Sequence, residues 1–456
     1  MPTTDATQLA SPTAPPEPAG RLHRQLRLHS VLAFGLAYLA PIIVLGTFGV
    51  ISEKSHGGTS GSYLIALIAM LLTAASYGRL AREIPVAGSA YSYVRRMVSN
   101  HLGFLVGWAS MLDYVFIPMV IWLIGASYLN AQFPTIPNWV WIVGFIVVTS
   151  ALNIFGIKVA DRANLILLAT EVLVIALFTV LAGYTVTHHG QSLISLRPFI
   201  GEPASLSALT AGAATAAYSF LGFDAVTTLA EETVDSDRTI PRAIMLTALI
   251  GGGIFVVSTY FTELVHPLVH VIDIDSAAFD IAKGIGGAFC SAVFLVGLVV
   301  GQFASGIAAQ ASASRLMYAM GRDGVLPKRF FGALTRRAAT PRNAILVVAA
   351  VGFIGCFLDV STSTSFINFG AFIAFAMVNV SAIALSRAQR ARGVTVRVLP
   401  GYLLPALGAL VVVLLLTQLD AAALIVGGCW LALGVVVLTY LTRGFRRPPP
   451  QMDAGA

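Results

Sequence analysis

Several carboxylates stand where this chain can least easily hold a charge. Asp224 follows Leu221-Gly222-Phe223 inside an apolar run that ends on Glu231-Glu232. Asp113 and Tyr114 sit side by side in WASMLDYVF, and Glu171 lies in ATEVLVIALF. An ionisable group in hydrocarbon is a functional candidate by default, because a ligand, a proton or a partner must offset its desolvation. Burial favours the neutral acid, and a bound ammonium favours the anion. Asp224 can therefore trade a proton for a cationic substrate, and it is expected to do both; the plainer alternative is a structural acid bonded to a neighbouring helix. Asp113 can hold the second ammonium of a diamine or cap a hydrogen-bond network. Tyr114 can stack on an alkylamine and donate through its hydroxyl. Helical neighbours diverge by about 100°, so one of the two is expected to face a cavity. Glu171 can carry a proton, bind a cation or make a packing hydrogen bond. Phe220 and Phe223 flank Gly222 and can box methylenes, although such rings also serve as packing. Glu231, Glu232 and Arg238 read as an inner gate or a loop salt-bridge network.

The elements that must position these groups are membrane helices. Of 456 residues, 57% are hydrophobic and only 11% charged, against about 25% charged in a soluble domain. Mean hydropathy is +0.83. A spanning helix needs about twenty apolar residues. Twelve stretches qualify: 31–51, 61–80, 103–130, 138–156, 164–186, 206–230, 243–264, 286–318, 343–358, 364–386, 400–418 and 421–442, the ninth being short. With the N-terminus inside, all but Lys54, Arg197 and Lys283 of the 28 Lys and Arg fall on the cytoplasmic side, as the positive-inside rule requires. The expected organisation is a disordered cytoplasmic tail (1–29) without a cleavable signal, a transmembrane domain (30–442) and a cytoplasmic C-terminal tail (443–456). The net charge of +7 then reflects topology rather than nucleic-acid binding.

Two spans are interrupted in matching ways. The first reads AYLAPIIVLGTFGVI, with Pro41, Gly46 and Gly49 as breakers; the sixth reads AAYSFLGFDAVTT around Gly222. Proline removes a backbone donor and glycine weakens helix, and irregular backbone at membrane depth is tolerated where it is buried or lines a cavity. Paired breaks in two halves point to a transporter site. Spans one to five and six to ten would be those halves. The alternative is that the breakers merely kink packed helices.

Several motifs then carry a resemblance. REIPVAGSAYSY (82–93), GFLVGW (103–108) and FLGFDAVTTLAEETVDSDRTIPRAI (220–244) resemble the second-to-third and sixth-helix regions of amino acid–polyamine–organocation permeases. GLAYLAP (35–41), VGWASMLDY (106–114), SRLMYAMGRD (314–323) and INFGA (367–371) are similar to bacterial putrescine importers. The resemblance implies an all-α membrane protein with a five-plus-five inverted repeat, discontinuous helices 1 and 6, and alternating access. It places the substrate among Ala40, Pro41, Ile43, Gly46 and Thr47 on one side and Phe220, Gly222, Phe223 and Asp224 on the other, with Asp113 and Tyr114 beside them. Asp224 matches an acid that diamine and cationic amino acid permeases use. Glu171 stands about where many members keep a lysine against the first and eighth helices. Amino-acid-transporting members carry Gly-Ser/Thr-Gly at the first break, whereas this chain has Gly46-Thr47-Phe48-Gly49, which is less fitted to a substrate carboxylate. Some putrescine importers hold an acid where Gly46 stands.

The expected function is secondary import of a polyamine such as putrescine, or a related amine, by proton symport across the plasma (inner) membrane. Its partners are the lipid bilayer, the amine and protons. The rivals are an amino acid permease or exchanger and, from another class, a channel or amine sensor. No nucleotide-binding loop, metal motif, cysteine pair or nucleophile–base pair stands out, so no cofactor, metal or enzymatic activity is expected.

Overall fold

The computed structural model describes residues 26–84, 89–156, 161–230, 232–322, 324–335 and 340–449. Among them, eleven helices are long and apolar enough to cross a membrane, and Arg342–Phe357 is a shorter apolar helix. Together they match the twelve spans read from the sequence, including the short ninth.

Span 1 is built from three pieces, Leu28–Leu39, Ile43–Gly46 and Phe48–Lys54. Spans 2 to 5 are Thr59–Glu83, Asn100–Gln132, Asn138–Phe155 and Asp161–His188. Span 6 comprises Leu206–Ala216, Ala217–Phe220 and Phe223–Leu229. Span 7 is Ser236–Val265. Span 8 lies within Ala277–Arg322, which departs from helix at Gly286 and Gly287. Spans 10 and 12 are Val360–Ala391 and Ala421–Leu441, and span 11 is Leu404–Thr417 after a π-turn at Leu399–Leu403. A short helix, Ser89–Met97, joins spans 2 and 3. Helix begins at Leu28, one residue before the expected end of the N-terminal tail at 29. Residues 1–25 and 450–456, Lys158, Arg336 and Arg337 lie outside the described residues.

Lipid gives helices no hydrophobic reason to associate, so close backbone approach and polar contacts do the work. Spans 1, 2, 6 and 7 pack together, and so do spans 3, 4, 8 and 9. Small residues permit the contacts. Gly297 and Gly301 of span 8 meet Val174 and Glu171 of span 5, and Gly370 of span 10 meets the Ala109 carbonyl of span 3. Buried amides tie other pairs. Asn379 of span 10 accepts from Ser76 at 2.6 Å and donates to Thr73 at 3.1 Å on span 2. Gln310 of span 8 donates to Ser150 at 2.7 Å and accepts from Asn153 at 2.9 Å on span 4. Span 12 is held by a reciprocal pair: Trp108 donates to the Trp430 carbonyl at 2.9 Å and Trp430 to the Trp108 carbonyl at 2.8 Å.

On the arginine-rich end, the strand-like residue Leu26 pairs with the turn after span 6. Leu26 N donates to the Glu232 carbonyl at 3.1 Å, and Val234 N donates to the Leu26 carbonyl at 2.9 Å. On the opposite end, Glu263 of span 7 accepts from Ser52 at 2.9 Å and Thr59 at 2.6 Å and faces His266 at 3.4 Å. Lys54 there pairs with Asp420 at 3.1 Å. A pocket lined by Ser52, Glu53, His56, Glu263 and His266 opens on that end.

Candidate functional site

Both expected breaks are present, and each has a local cause. Span 1 stops at Leu39, where Ala40 takes the left-handed values φ 46° and ψ 77°, a strained conformation for an L-residue. Pro41 brings no amide, and the chain restarts at Ile43. The break therefore spans Ala40–Ile42, with a second irregularity at Thr47. Gly49 is not part of it: Gly49 lies inside the helix and closes against the Ile274 carbonyl. Every amide from Ile42 to Thr47 already has an acceptor. Ile42 N donates to Glu171 Oε2 at 3.5 Å; the next five donate to carbonyls of Ala40, Pro41, Ile42, Ile42 and Ile43 at 2.9–3.4 Å.

Span 6 tightens into a 3-10 turn over Ala217–Phe220, opens at Leu221 and turns at Gly222, φ 105°. This glycine is required twice over. Its φ suits no L side chain, and a Cβ would fall on the ring of Tyr38, 2.8 Å from Cε1 and 3.1 Å from Cγ. The two breaks thus face one another through Tyr38, at the end of the first piece of span 1.

Asp224 lies two residues past Gly222, and its Oδ2 accepts from the Tyr77 hydroxyl of span 2 at 3.2 Å. Asp113 of span 3 presents a buried Oδ1 with no hydrogen-bond partner. Asp113 and Asp224 lie within electrostatic reach of one another, and Tyr38 and Tyr114 feel both. Tyr218 feels Asp113, and Ser312 of span 8 faces the Tyr38 hydroxyl. Tyr38, Asp113, Tyr114 and Asp224 all keep some accessible surface although they lie within apolar spans. Asp113 and Tyr114 both lie within electrostatic reach of Asp224.

The layer beyond the breaks is sealed. Tyr63 of span 2 bridges Thr47 at 3.2 Å and Ser219 at 2.9 Å, joining spans 1 and 6. The Tyr128 hydroxyl donates to the Leu45 carbonyl at 2.7 Å. Phe220 stacks edge-on against Phe255 and beside Tyr63, while Phe223 packs with Tyr77 and Phe375. Both rings are fully buried and take part in helix packing. Ile43 and Gly46 are buried too, with Gly46 set against Ile124 and Gln302.

Glu171 is 6% exposed. It sits between the Ile42 amide and the bare Cα of Gly301, so it contacts the first and eighth spans as expected. Of the three gate candidates, Glu231 lies outside the described residues. Glu232 contributes its carbonyl to Leu26. Arg238 is exposed on the first turn of span 7, and neither Glu232 nor Arg238 has an ion pair among the described residues.

A sequence profile of the amino acid permease family matches residues 29–443. The chain belongs to that family. It is 39% identical over 437 residues to the low-affinity putrescine importer PlaP of Escherichia coli (strain K12), covering 95% of this chain and 96% of the relative. It is 24% identical over 450 residues to the branched-chain amino acid permease BcaP of Bacillus subtilis (strain 168), covering 90% and 92%. It is 27% identical over 363 residues to the vacuolar cationic amino acid transporter 4 of Arabidopsis thaliana, covering 75% of this chain and 59% of the relative. The protein is thus a multi-pass membrane permease of the amino acid and polyamine class, a transporter rather than an enzyme. The residues that the sequence did not single out are Tyr38, Tyr63 and Tyr77. Their one advance signal was a phenol in an otherwise lipid-fit helix, which needs a polar partner when buried.

Proposed function

We propose that this permease imports a polyamine such as putrescine, or a closely related amine, by proton symport. The observation that carries the reading is the contrast at the site. The amides Ile42–Thr47, which would have to hold a substrate carboxylate, are all occupied, while Asp113 offers a buried carboxylate oxygen without a partner. Such a site suits an amine that lacks a carboxylate. Asp224 binds an ammonium in its ionised form and carries a proton in its neutral form. Glu171, lodged against the break of span 1, is a second proton carrier that can loosen the break when its charge changes.

In this reading the arginine-rich end faces the cytoplasm, with both termini there, and the chain resides in the plasma (inner) membrane. The separate packing of spans 1, 2, 6 and 7 and of spans 3, 4, 8 and 9 supports alternating access by one group rocking on the other, with Glu231, Glu232 and Arg238 at the inner gate. Each positive charge moving inward gains about 2.3 kcal/mol per 100 mV, so a dication gains about 4.6. The test is uptake of labelled putrescine into proteoliposomes with and without an inward proton gradient. Uptake should be electrogenic and faster with the gradient, and Asp224→Asn should abolish it; Glu171→Gln should remove the gradient's effect. Electroneutral, proton-independent uptake indifferent to Asp224→Asn would refute the mechanism. The similarity to a branched-chain amino acid permease over 90% of this chain keeps a second reading, amino acid transport, in play. Competition only by carboxylate-bearing compounds would establish it instead.

A further inference from the structure

Tyr38 is held on several sides. Its ring lies over the bare Cα of Gly222 and cannot retreat toward span 6. Phe34, one turn earlier, backs it with ring centroids 6.1 Å apart. Gly35, between them, presses span 1 onto Thr247 and Val226, so the helix cannot slide away. Two residues later the chain leaves the helix through left-handed Ala40 and Pro41, which fixes where the helix ends. A flat ring so held is a rigid wall inside the site. Two carboxylates lie within its electrostatic reach, Asp224 from span 6 and Asp113 from span 3, the second with an unpartnered Oδ1.

Building on the amine reading above, we infer that Tyr38 is the specificity-determining residue of this site. Its ring, fixed over Gly222 and within electrostatic reach of both carboxylates, sets the length of α,ω-diamine the permease accepts. A diamine would place one ammonium at Asp224 and the other at Asp113. Its methylenes would run across the Tyr38 face, which attracts both alkyl surface and cations. Too short a chain leaves one carboxylate unpaired in a buried site, which is costly; too long a chain has to buckle against a ring with no room to yield. One methylene misfit in a hydrophobic pocket is worth about tenfold or more in selectivity.

The test is competition against labelled putrescine in proteoliposomes of the full chain, using the straight-chain series from propane-1,3-diamine to octane-1,8-diamine and the matching monoamines. The native protein should show a sharp optimum in chain length. Tyr38→Phe, which keeps the ring, should keep that optimum. Tyr38→Ala should move it to longer diamines, raising the ratio of long to short competition by about tenfold. If Tyr38→Ala does not fold, Tyr38→Leu serves: it fills much of the space without a flat face and should flatten the length profile. Asp113→Asn should remove the advantage of diamines over monoamines. Equal weakening of every diamine in Tyr38→Ala or Tyr38→Leu, with the optimum unmoved, would overturn the role assigned to the ring. Failure of all amines to compete in the native protein would overturn the amine reading itself.

Discussion

Replacing Gly222 by alanine tests the meeting of the two breaks directly. Two separable penalties are expected. The backbone at φ 105° strains any residue with a Cβ by about 1–3 kcal/mol. The new methyl group would also fall between Cε1 at 2.8 Å and Cγ at 3.1 Å of Tyr38, so the ring must withdraw by well over half an ångström to reach ordinary contact at 3.4 Å. Overpacking of that kind costs about 1–3 kcal/mol. Gly222→Ala alone should therefore destabilise by about 2–6 kcal/mol. In a Tyr38→Ala background the second penalty disappears and only the backbone strain should remain. A double-mutant cycle, read by thermal unfolding of the four purified proteins in detergent, isolates a coupling of about 1–3 kcal/mol between residues of spans 1 and 6. If Gly222→Ala destabilises equally with and without the ring, Tyr38 does not lie over Gly222, and the closed geometry described for the site is wrong.

Three further perturbations have defined outcomes. Tyr63→Phe leaves Thr47 and Ser219 without their shared buried partner and should destabilise by about 1–3 kcal/mol; an unchanged melting temperature would mean that the two breaks are not joined there. Lys54→Met removes the partly exposed pair with Asp420 and should change stability by no more than about 1 kcal/mol. A loss above about 2 kcal/mol, independent of salt, would contradict the open setting of that pair. Trp430→Phe keeps a ring on Trp108 but loses its donor to the Trp108 carbonyl, so about 1 kcal/mol of stability should be lost while transport continues; loss of transport would give span 12 a role in the cycle.

Much of this was legible in residue types. Twelve apolar runs and a one-sided arginine distribution dictate the helices, because hydrocarbon length and desolvation leave little choice. The sixth-span break could be read from Gly222, whose conformation is open to glycine and scarcely to other residues. The first was placed less well, since glycine marks both a break and a close approach. Ala40 carries the left-handed turn that no composition rule would assign to alanine, while Gly49 merely lets the chain pass the Ile274 carbonyl. Asp113, Tyr114 and Asp224 could be found because charge and phenol are conspicuous in lipid. Facing was not legible. Phe220 and Phe223 look suited to a substrate box by sequence neighbourhood, and both rings are buried in the packing around Gly222, while the tyrosines within electrostatic reach of Asp113 come from spans 1, 3 and 6.

The pairing of Leu26 with the turn after span 6 uses only main-chain groups: the amide and carbonyl of Leu26, the carbonyl of Glu232 and the amide of Val234. Such a splice reads shape and register, not side chains. Substitutions at the more exposed Glu232 and Val234 should pass almost unnoticed, with proline at residue 234 the exception, since it would delete an amide donor. Inserting or deleting one residue between Leu26 and the start of span 1 at Leu28 would shift that register at once. The splice is thus indifferent to spelling and intolerant of miscounting, a distinction that a scan of point substitutions would overlook and a scan of single-residue insertions would expose.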